Sequence, residues 1–240
     1  MRVKEHYDNH LGDFYSWMAG DFNAKQKEQT QFFETHAVKP TSTQIAIDLG
    51  AGHGIQAVAL AKAGFKVKAI DFNQQLLREL TRNGKGLSID VIEGDIRQVS
   101  NYAEVSPELI ICWGDTLTHL ETEEEVRQLL QDCAAVLIPD GKLILSFRDY
   151  SNALTGDNRF IPVKSDETKI LTCFLDYSAD YVRVTDLLHE KTEKGWEQRV
   201  SSYNKIRISS RQIVEILQQC GLTITFNEIM NRLLTIIAKK

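Results

Sequence analysis

Gln44-Ile45-Ala46-Ile47-Asp48-Leu49-Gly50-Ala51-Gly52-His53-Gly54 passes from a short apolar run into three glycines on alternate positions, and Ile55, Val58 and Ala59 follow at helical spacing. The pattern predicts a strand, a tight turn and a helix start. Glycine lacks Cβ, so such a turn reaches backbone angles closed to other residues and lets a ligand approach the main chain. The helix behind it aims free N–H groups and the positive end of its dipole into the same space, which favours acceptors or negative charge there. A pyrophosphate dinucleotide needs glycine or alanine at the sixth position of the turn, where this chain has Ile55. Asp48, near the carboxyl end of the strand, repels a pyrophosphate and attracts an ammonium or sulfonium group. The expected ligand therefore joins a cation to a carboxylate, and nicotinamide redox chemistry is disfavoured.

Working outward, the helix stops at Gly64, and residues 65–70 read as a second strand that ends in Asp71. An acid about 20 residues beyond a glycine turn is placed to accept from both ribose hydroxyls. The competing role is a cap for the next helix, which Asn73 fills equally well. Phe72 is positioned to pack on an adenine face. A helix over 74–82 closes at Asn83-Gly84, and a third strand over 87–92 runs into Glu93-Gly94-Asp95-Ile96. The apolar run 109–113 fits a buried parallel strand. It opens into Gly114-Asp115-Thr116-Leu117-Thr118-His119-Leu120 at the carboxyl edge, where open α/β sheets hold ligands. Thr122-Glu123-Glu124-Glu125 reads as a capping box whose glutamates form a solvated first turn, not a carboxylate site. Strand 142–147 ends in Arg148-Asp149-Tyr150, three polar tips at the same crevice.

In this setting Ile47-Asp48-Leu49-Gly50-Ala51-Gly52-His53-Gly54 resembles motif I of the class I S-adenosylmethionine-dependent methyltransferases. S-adenosylmethionine carries the ammonium, the sulfonium and the carboxylate that the turn asks for. The resemblance covers residues 45–148 and the closing segment. It implies an α/β, Rossmann-like doubly wound sheet of seven strands, mostly parallel with a reversed last strand. It implies that Gly50, Ala51 and Gly52 cradle the cofactor, that Asp95 accepts from the adenine amine, and that the Ile96 N–H reaches a ring nitrogen. In this family an N-terminal segment often lies across the cofactor as a lid, which turns Tyr15 and Trp17 toward it. An amphipathic helix packed on the sheet, with Phe14, Trp17 and Met18 on one face, is the alternative. Members acting on nucleic-acid bases carry a Pro-Pro-aromatic run where this chain has Cys112-Trp113-Gly114-Asp115. That departure argues against a base as acceptor. The run is more similar to small-molecule enzymes of the glycine N-methyltransferase-like group, which implies Trp113 at the cofactor and Asp115 and His119 beside the methyl donor, where they are candidates to bind the acceptor.

Methyl transfer asks mainly for alignment of donor and acceptor. If a base is needed, His119 is the first candidate, with Asp115 and Tyr150 behind it; for His119 a helix-start histidine satisfying backbone groups is the competing role. Arg148 either pairs with an acidic substrate or with a neighbouring carboxylate.

The 240 residues suffice for one sizeable α/β domain with an insertion. A net charge of -5 disfavours nucleic acid and anionic membrane as partners and leaves a small molecule. Cys112, Cys133, Cys173 and Cys220 show no CxxC spacing and read as reduced thiols, with no metal site. No apolar run reaches membrane-spanning length, and the first residues lack a signal-like core, so a cytoplasmic location is expected. The expected organisation is a helical lid over 1–43, a methyltransferase core over 44–150 and 209–240, and an inserted antiparallel β meander over 151–208. The meander is expected to roof the crevice as a substrate cover, or else to serve as a dimerisation sheet, so that the chain is a monomer or homodimer. The function implied is methyl transfer from S-adenosylmethionine to a nitrogen or oxygen of a small molecule. A non-catalytic S-adenosylmethionine-binding protein is the alternative.

Overall fold

The structure, a computed structural model, describes residues 3–240. Four helical pieces precede the first strand: α1 (Val3–Asn9), a 3₁₀ turn (Leu11–Asp13), α2 (Tyr15–Ala19) and α3 (Phe22–Thr35). Phe14, Trp17 and Met18 pack into one cluster as expected, although the helix is short and Phe14, with φ −127°, stands at its N-cap. Phe14 and Leu11 are buried against Leu171 and Leu188 from a distant part of the chain. Asp21 starts α3 by accepting from the Ala24 N–H, one of the donors a helix leaves unpaired at its start. The connector that follows is held by Glu108. Its carboxylate accepts from the backbone N–H groups of Thr41, Ser42 and Gln44 at 2.9, 2.8 and 2.8 Å, which fixes where the first strand begins.

From there strand and helix alternate: β1 (Ile45–Leu49), α4 (Ile55–Lys62), β2 (Lys66–Asp71), α5 (Gln74–Asn83), β3 (Ile89–Glu93), β4 (Leu109–Cys112), α6 (Glu123–Val136) and β5 (Lys142–Phe147). Such alternation builds a parallel sheet with helices on both faces. Four further strands, β6 (Phe160–Ser165), β7 (Lys169–Tyr177), β8 (Tyr181–Thr192) and β9 (Gly195–Ile206), separate this part from α7 (Ser210–Gln219), β10 (Thr223–Met230) and β11 (Leu233–Lys239). The main sheet has seven strands in the order β10-β11-β5-β4-β1-β2-β3. β1 pairs parallel with β2 and β4, while β11 runs antiparallel to both β5 and β10. This is the Rossmann-like sheet with a reversed strand that the sequence implied.

Successive side chains of a strand point to opposite faces, so each central strand feeds two cores. Ile47, Ile110, Leu143 and Leu145 pack with the α6 and α7 residues Leu130 and Ile216. Ala46, Leu109, Ile111 and Ile144 pack with Phe33, Ala57 and Leu60 from α3 and α4.

The insertion forms its own antiparallel sheet, β6-β7-β8-β9. The sequence did not mark β6, since Pro162 and a register shift between Pro162 and Lys164 interrupt its alternation. Its inner face, including Leu175, Val182, Val184 and Tyr203, meets Val3 of α1, and Leu171 and Leu188 meet Tyr7 and Tyr15. Ser209 caps α7, with Gln212 completing the box, while the cap of α6 differs in detail from expectation. At α6 the Thr122 hydroxyl accepts from the Glu125 N–H, but the Glu125 carboxylate returns to the Glu121 N–H.

Candidate functional site

The carboxyl ends of the central strands open into a cavity of about 1060 Å³. One wall is the glycine turn. Gly50 and Gly54 take φ of +76° and +98°. A Cβ on Gly50 would run into the Thr116 side chain, and one on Gly54 would sit 2.7 Å from Leu80 Cγ, so both positions demand glycine. Asp71 ties this turn to the tip of β2: its Oδ2 accepts from the Gly52 N–H at 2.8 Å and its Oδ1 from the Asn73 N–H at 2.8 Å. Each oxygen keeps a further acceptor position. Burial raises the Asp71 pKa, and the N–H groups of Asn73 and Gly52 oppose that shift without cancelling it. Asn73 itself caps α5 by accepting from the Leu76 N–H at 3.0 Å, which frees Asp71 from that role.

Gly50, Ala51, Gly52, Asp71, Phe72, Asp95, Ile96 and Tyr15 all line the cavity. Burial holds the Tyr15 phenol up at about 12, and its ring lies over Gly52. Asp95 is already engaged. Burial pushes its pKa up, but Arg97, whose Nε lies 3.0 and 2.9 Å from the two carboxylate oxygens, brings it below the usual range. Arg97 also donates to Glu125 at 2.7 Å. The sequence reading missed this arginine, which shares the acid expected to meet adenine.

Two expected cofactor residues stand elsewhere. Asp48 is buried in β1 and does not line the cavity. Burial, then the neighbouring Asp71, raises its carboxyl to about 8. Any attraction of a cation to this acid acts from behind the cavity wall. Trp17 also lies off the cavity, its indole N–H donating to Asp166.

The opposite wall carries Trp113, Gly114, Thr116, His119 and Arg148, with Met230, Asn231 and Leu233 from the hairpin between β10 and β11. His119 is half-buried, its Nε2 is buried with no hydrogen-bond partner among the described residues, and its ring meets Tyr7 and Tyr203 edge-on with centroids 5.7 and 5.8 Å away. Burial, then Lys205, lowers its pKa to about 3. Both effects disfavour the imidazolium, which argues for a neutral imidazole that orients an acceptor over the proton acceptor expected from the sequence.

Asp115 and Tyr150 are not on the cavity wall either. Asp115 accepts from the Arg148 N–H at 2.8 Å, the Thr118 hydroxyl at 2.9 Å, the Tyr150 hydroxyl at 3.0 Å and the Lys205 ammonium. Burial raises its pKa, but Lys205 and these donors bring it below the usual carboxylate range. Burial, then Asp115, pushes the Tyr150 phenol well up. Both side chains are spent on each other and on Lys205, so neither is a free base. Arg148 does face the cavity, its Nε 3.9 Å from Asp115 Oδ2. Its neighbour Asp149 turns away to accept from the Ser210 N–H at 2.9 Å.

Two further residues escaped the sequence reading. Tyr7 of α1 lies on the cavity wall with its ring edge-on to Phe72 at 5.4 Å. Lys205 occupies an inward slot of β9 in step with buried Ser201 and Tyr203, and a lysine in that alternation signals a buried anionic partner. The cavity is covered by residues of 3–32 and by the β10–β11 tip; among the described residues none of its lining comes from 151–208. The expected roofing by the meander is thus taken over by the N-terminal helices that intervene. His6 of α1 fixes this arrangement, with its Nε2 3.1 Å from Asp186 Oδ2 and its ring stacked on Tyr203 at 4.2 Å.

Residues 46–141 match the family described as Methyltransferase domain. A glycine/sarcosine N-methyltransferase of Aphanothece halophytica is 29% identical over 155 residues, covering 62% of this chain and 58% of that protein. One from Halorhodospira halochloris is 31% identical over 136 residues, covering 56% of this chain and 50% of the relative. The chain thus spans little more than half the length of these relatives. Among solved structures, the CcbJ methyltransferase from Streptomyces caelestis superposes with a TM-score of 0.75 at 16% identity, covering 92% of this chain and 97% of that one, which shows a shared fold.

Proposed function

We propose that this chain, which belongs through residues 46–141 to the class I S-adenosylmethionine-dependent methyltransferases, transfers a methyl group to a nitrogen of a small molecule bearing an anionic group. The observation that carries the reading is one continuous cavity with the Gly50–Gly52 turn, Asp71 and Phe72 on one wall and Trp113, His119 and Arg148 on the other. That is room for a donor and an acceptor side by side. S-adenosylmethionine supplies a methyl group on a sulfonium, a leaving group that needs no further activation. The backbone of Gly50 to Gly52 and the spare acceptor positions of Asp71 hold the donor, and Tyr15 and Tyr7 exclude water above it. Arg148 pairs with the anionic group of the acceptor. His119, neutral, orients the acceptor nitrogen by a hydrogen bond without taking up its proton.

Nitrogen is favoured over oxygen for a physical reason. An amine attacks as its free base and sheds a proton afterwards, whereas a hydroxyl gains about 10²- to 10⁴-fold from a positioned base. His119, Asp115 and Tyr150 are respectively too acidic as a conjugate acid, ion-paired, and locked. Alignment of the two reactants contributes roughly 7 to 11 kcal/mol without any base. The names of the glycine/sarcosine N-methyltransferases that the chain resembles point the same way.

The test is label transfer from radiolabelled S-adenosylmethionine to a panel of amines, glycine and sarcosine among them, run beside matched alcohols and phenols. Transfer confined to amines, with Arg148→Ala raising KM for carboxylated ones, is expected. Transfer only to oxygen, or no calorimetric binding of S-adenosylhomocysteine, overturns the proposal.

A further inference from the structure

The outer face of the inserted sheet carries a patch of exposed apolar side chains. An antiparallel sheet that closes one side of a core normally presents polar side chains on the other. Here the register puts Phe160 opposite Phe174 on the outer face, and Leu187 opposite Val200. Phe160 and Phe174 have ring centroids 4.8 Å apart, yet neither they nor Leu187 and Val200 belong to any of the hydrophobic clusters of the described residues. Phe160 is 50% exposed, Val200 55%, and Ile170 and Trp196, on the same face, 42% and 50%. Thr172, Thr185 and Ser202 fill the positions between them in the paired registers. Arg183 stands opposite Asp176, Arg159 reaches Asp176 at 3.4 Å and lies 4.8 Å over the Phe174 ring, His189 stands between Ile170 and Gln198, and Lys191 lies opposite Trp196.

This face has the area and the chemistry for a second copy of the same surface. Four strands spaced about 4.8 Å apart, each contributing roughly nine residues at about 3.4 Å, span about 600 Å² per copy. Two such faces bury about 1,200 Å², the lower bound for a specific, stable interface. The central rows Thr172-Leu187-Val200 and Phe174-Thr185-Ser202 contribute no lysine, arginine or carboxylate, so a self-paired face keeps its charges, Arg159, Arg183, Asp176 and Lys191, toward the rim, and these mixed signs offer no basic cluster to a nucleic acid or an anionic membrane. Packed sheets lie about 10 Å apart with side chains interdigitated, which suits stacked phenyl rings and branched aliphatic groups.

We propose that the outer face of β6-β7-β8-β9 is a two-fold interface and that the protein is a homodimer closed sheet on sheet through it. The same patch on both copies makes a self-complementary contact that closes after two chains. This conclusion is independent of the methyl-transfer reading, since no residue of the insertion lines the cavity.

Sedimentation equilibrium of the full chain at micromolar concentration tests it. Val200→Glu places a carboxylate on the face at a half-exposed position that the monomer tolerates. Ile229→Glu alters an exposed apolar residue of β10, 77% exposed and far from the face, and serves as control. Wild type and Ile229→Glu are expected at twice the chain mass, and Val200→Glu at the chain mass with an unchanged circular dichroism spectrum. A wild type that sediments as monomer overturns the proposal, as does a Val200→Glu variant that stays dimeric. Should Val200→Glu not fold, Ile170→Lys on the same face is read by the same two outcomes.

Discussion

The two walls of the cavity are built in different ways. The donor wall is made of backbone and of acids at successive strand tips: Gly50 to Gly52 after β1, Asp71 after β2 and Asp95 after β3. Its critical bond, from the Gly52 N–H to Asp71, joins residues 19 apart. The wall proposed to hold the acceptor is made of side chains assembled from the loop after β4, the end of β5 and the β10–β11 tip. Behind it Asp115 and Lys205 meet across 90 residues of sequence. The contrast teaches that a generic grip can be local while a specific one is propped from afar, so the two walls should fail differently when mutated.

The largest difference is expected at Lys205. Lys205→Met strands the Asp115 carboxylate in the interior and should cost about 3–5 kcal/mol of stability, read as a lower urea midpoint. Adding Asp115→Asn should restore much of it, and the folded fraction should bind S-adenosylhomocysteine as wild type does. Equal loss in the single and double variants would mean that the pair does not prop the acceptor wall.

Next is a pH slope from the donor side. The folded pKa of Asp48, about 8, lies above the ordinary carboxylate value of the unfolded chain, so the folded state holds the extra proton. The stability that this proton confers is full below the unfolded value and is lost as pH rises through about 8. Asp48→Asn should flatten the fall in urea midpoint across that window; an unaltered slope would assign it to other groups.

Asp71→Ala should weaken S-adenosylhomocysteine binding by about 1–3 kcal/mol, measured calorimetrically, through lost acceptors for ligand and turn alike. Unchanged affinity would remove Asp71 from the donor wall. Smallest is His119→Gln, which keeps a neutral polar group in place. It should lower kcat/KM less than about tenfold and leave the pH profile unmoved near neutrality, whereas a catalytic base would cost about 10²- to 10⁴-fold.

The same contrast explains what was legible in the sequence. The glycine turn, Asp71 and Asp95 are signalled by nearby residues, because glycine at positive φ and acids at strand ends leave a local pattern. The seven-stranded sheet was legible for the same reason, each strand being a short apolar run between turns. Asp48 was seen, but its place behind the cavity wall was not, since that depends on β1 lying between β2 and β4. Asp115 and Tyr150 were placed in the right neighbourhood but assigned free side chains, because nothing near them in sequence announces Lys205. Tyr7 lay in a segment without an apolar period, and β6 was hidden by Pro162.

Lys205 also makes the pairing of β9 with β8 answerable for chemistry that takes place elsewhere. Side chains alternate along a strand, so a slip of one residue would swing Asn204 inward and carry the ammonium out to solvent. Insertions or deletions within β9 ahead of Lys205 should therefore be tolerated in steps of two and not of one, a parity rule imposed on the outer sheet by an acid of the inner one.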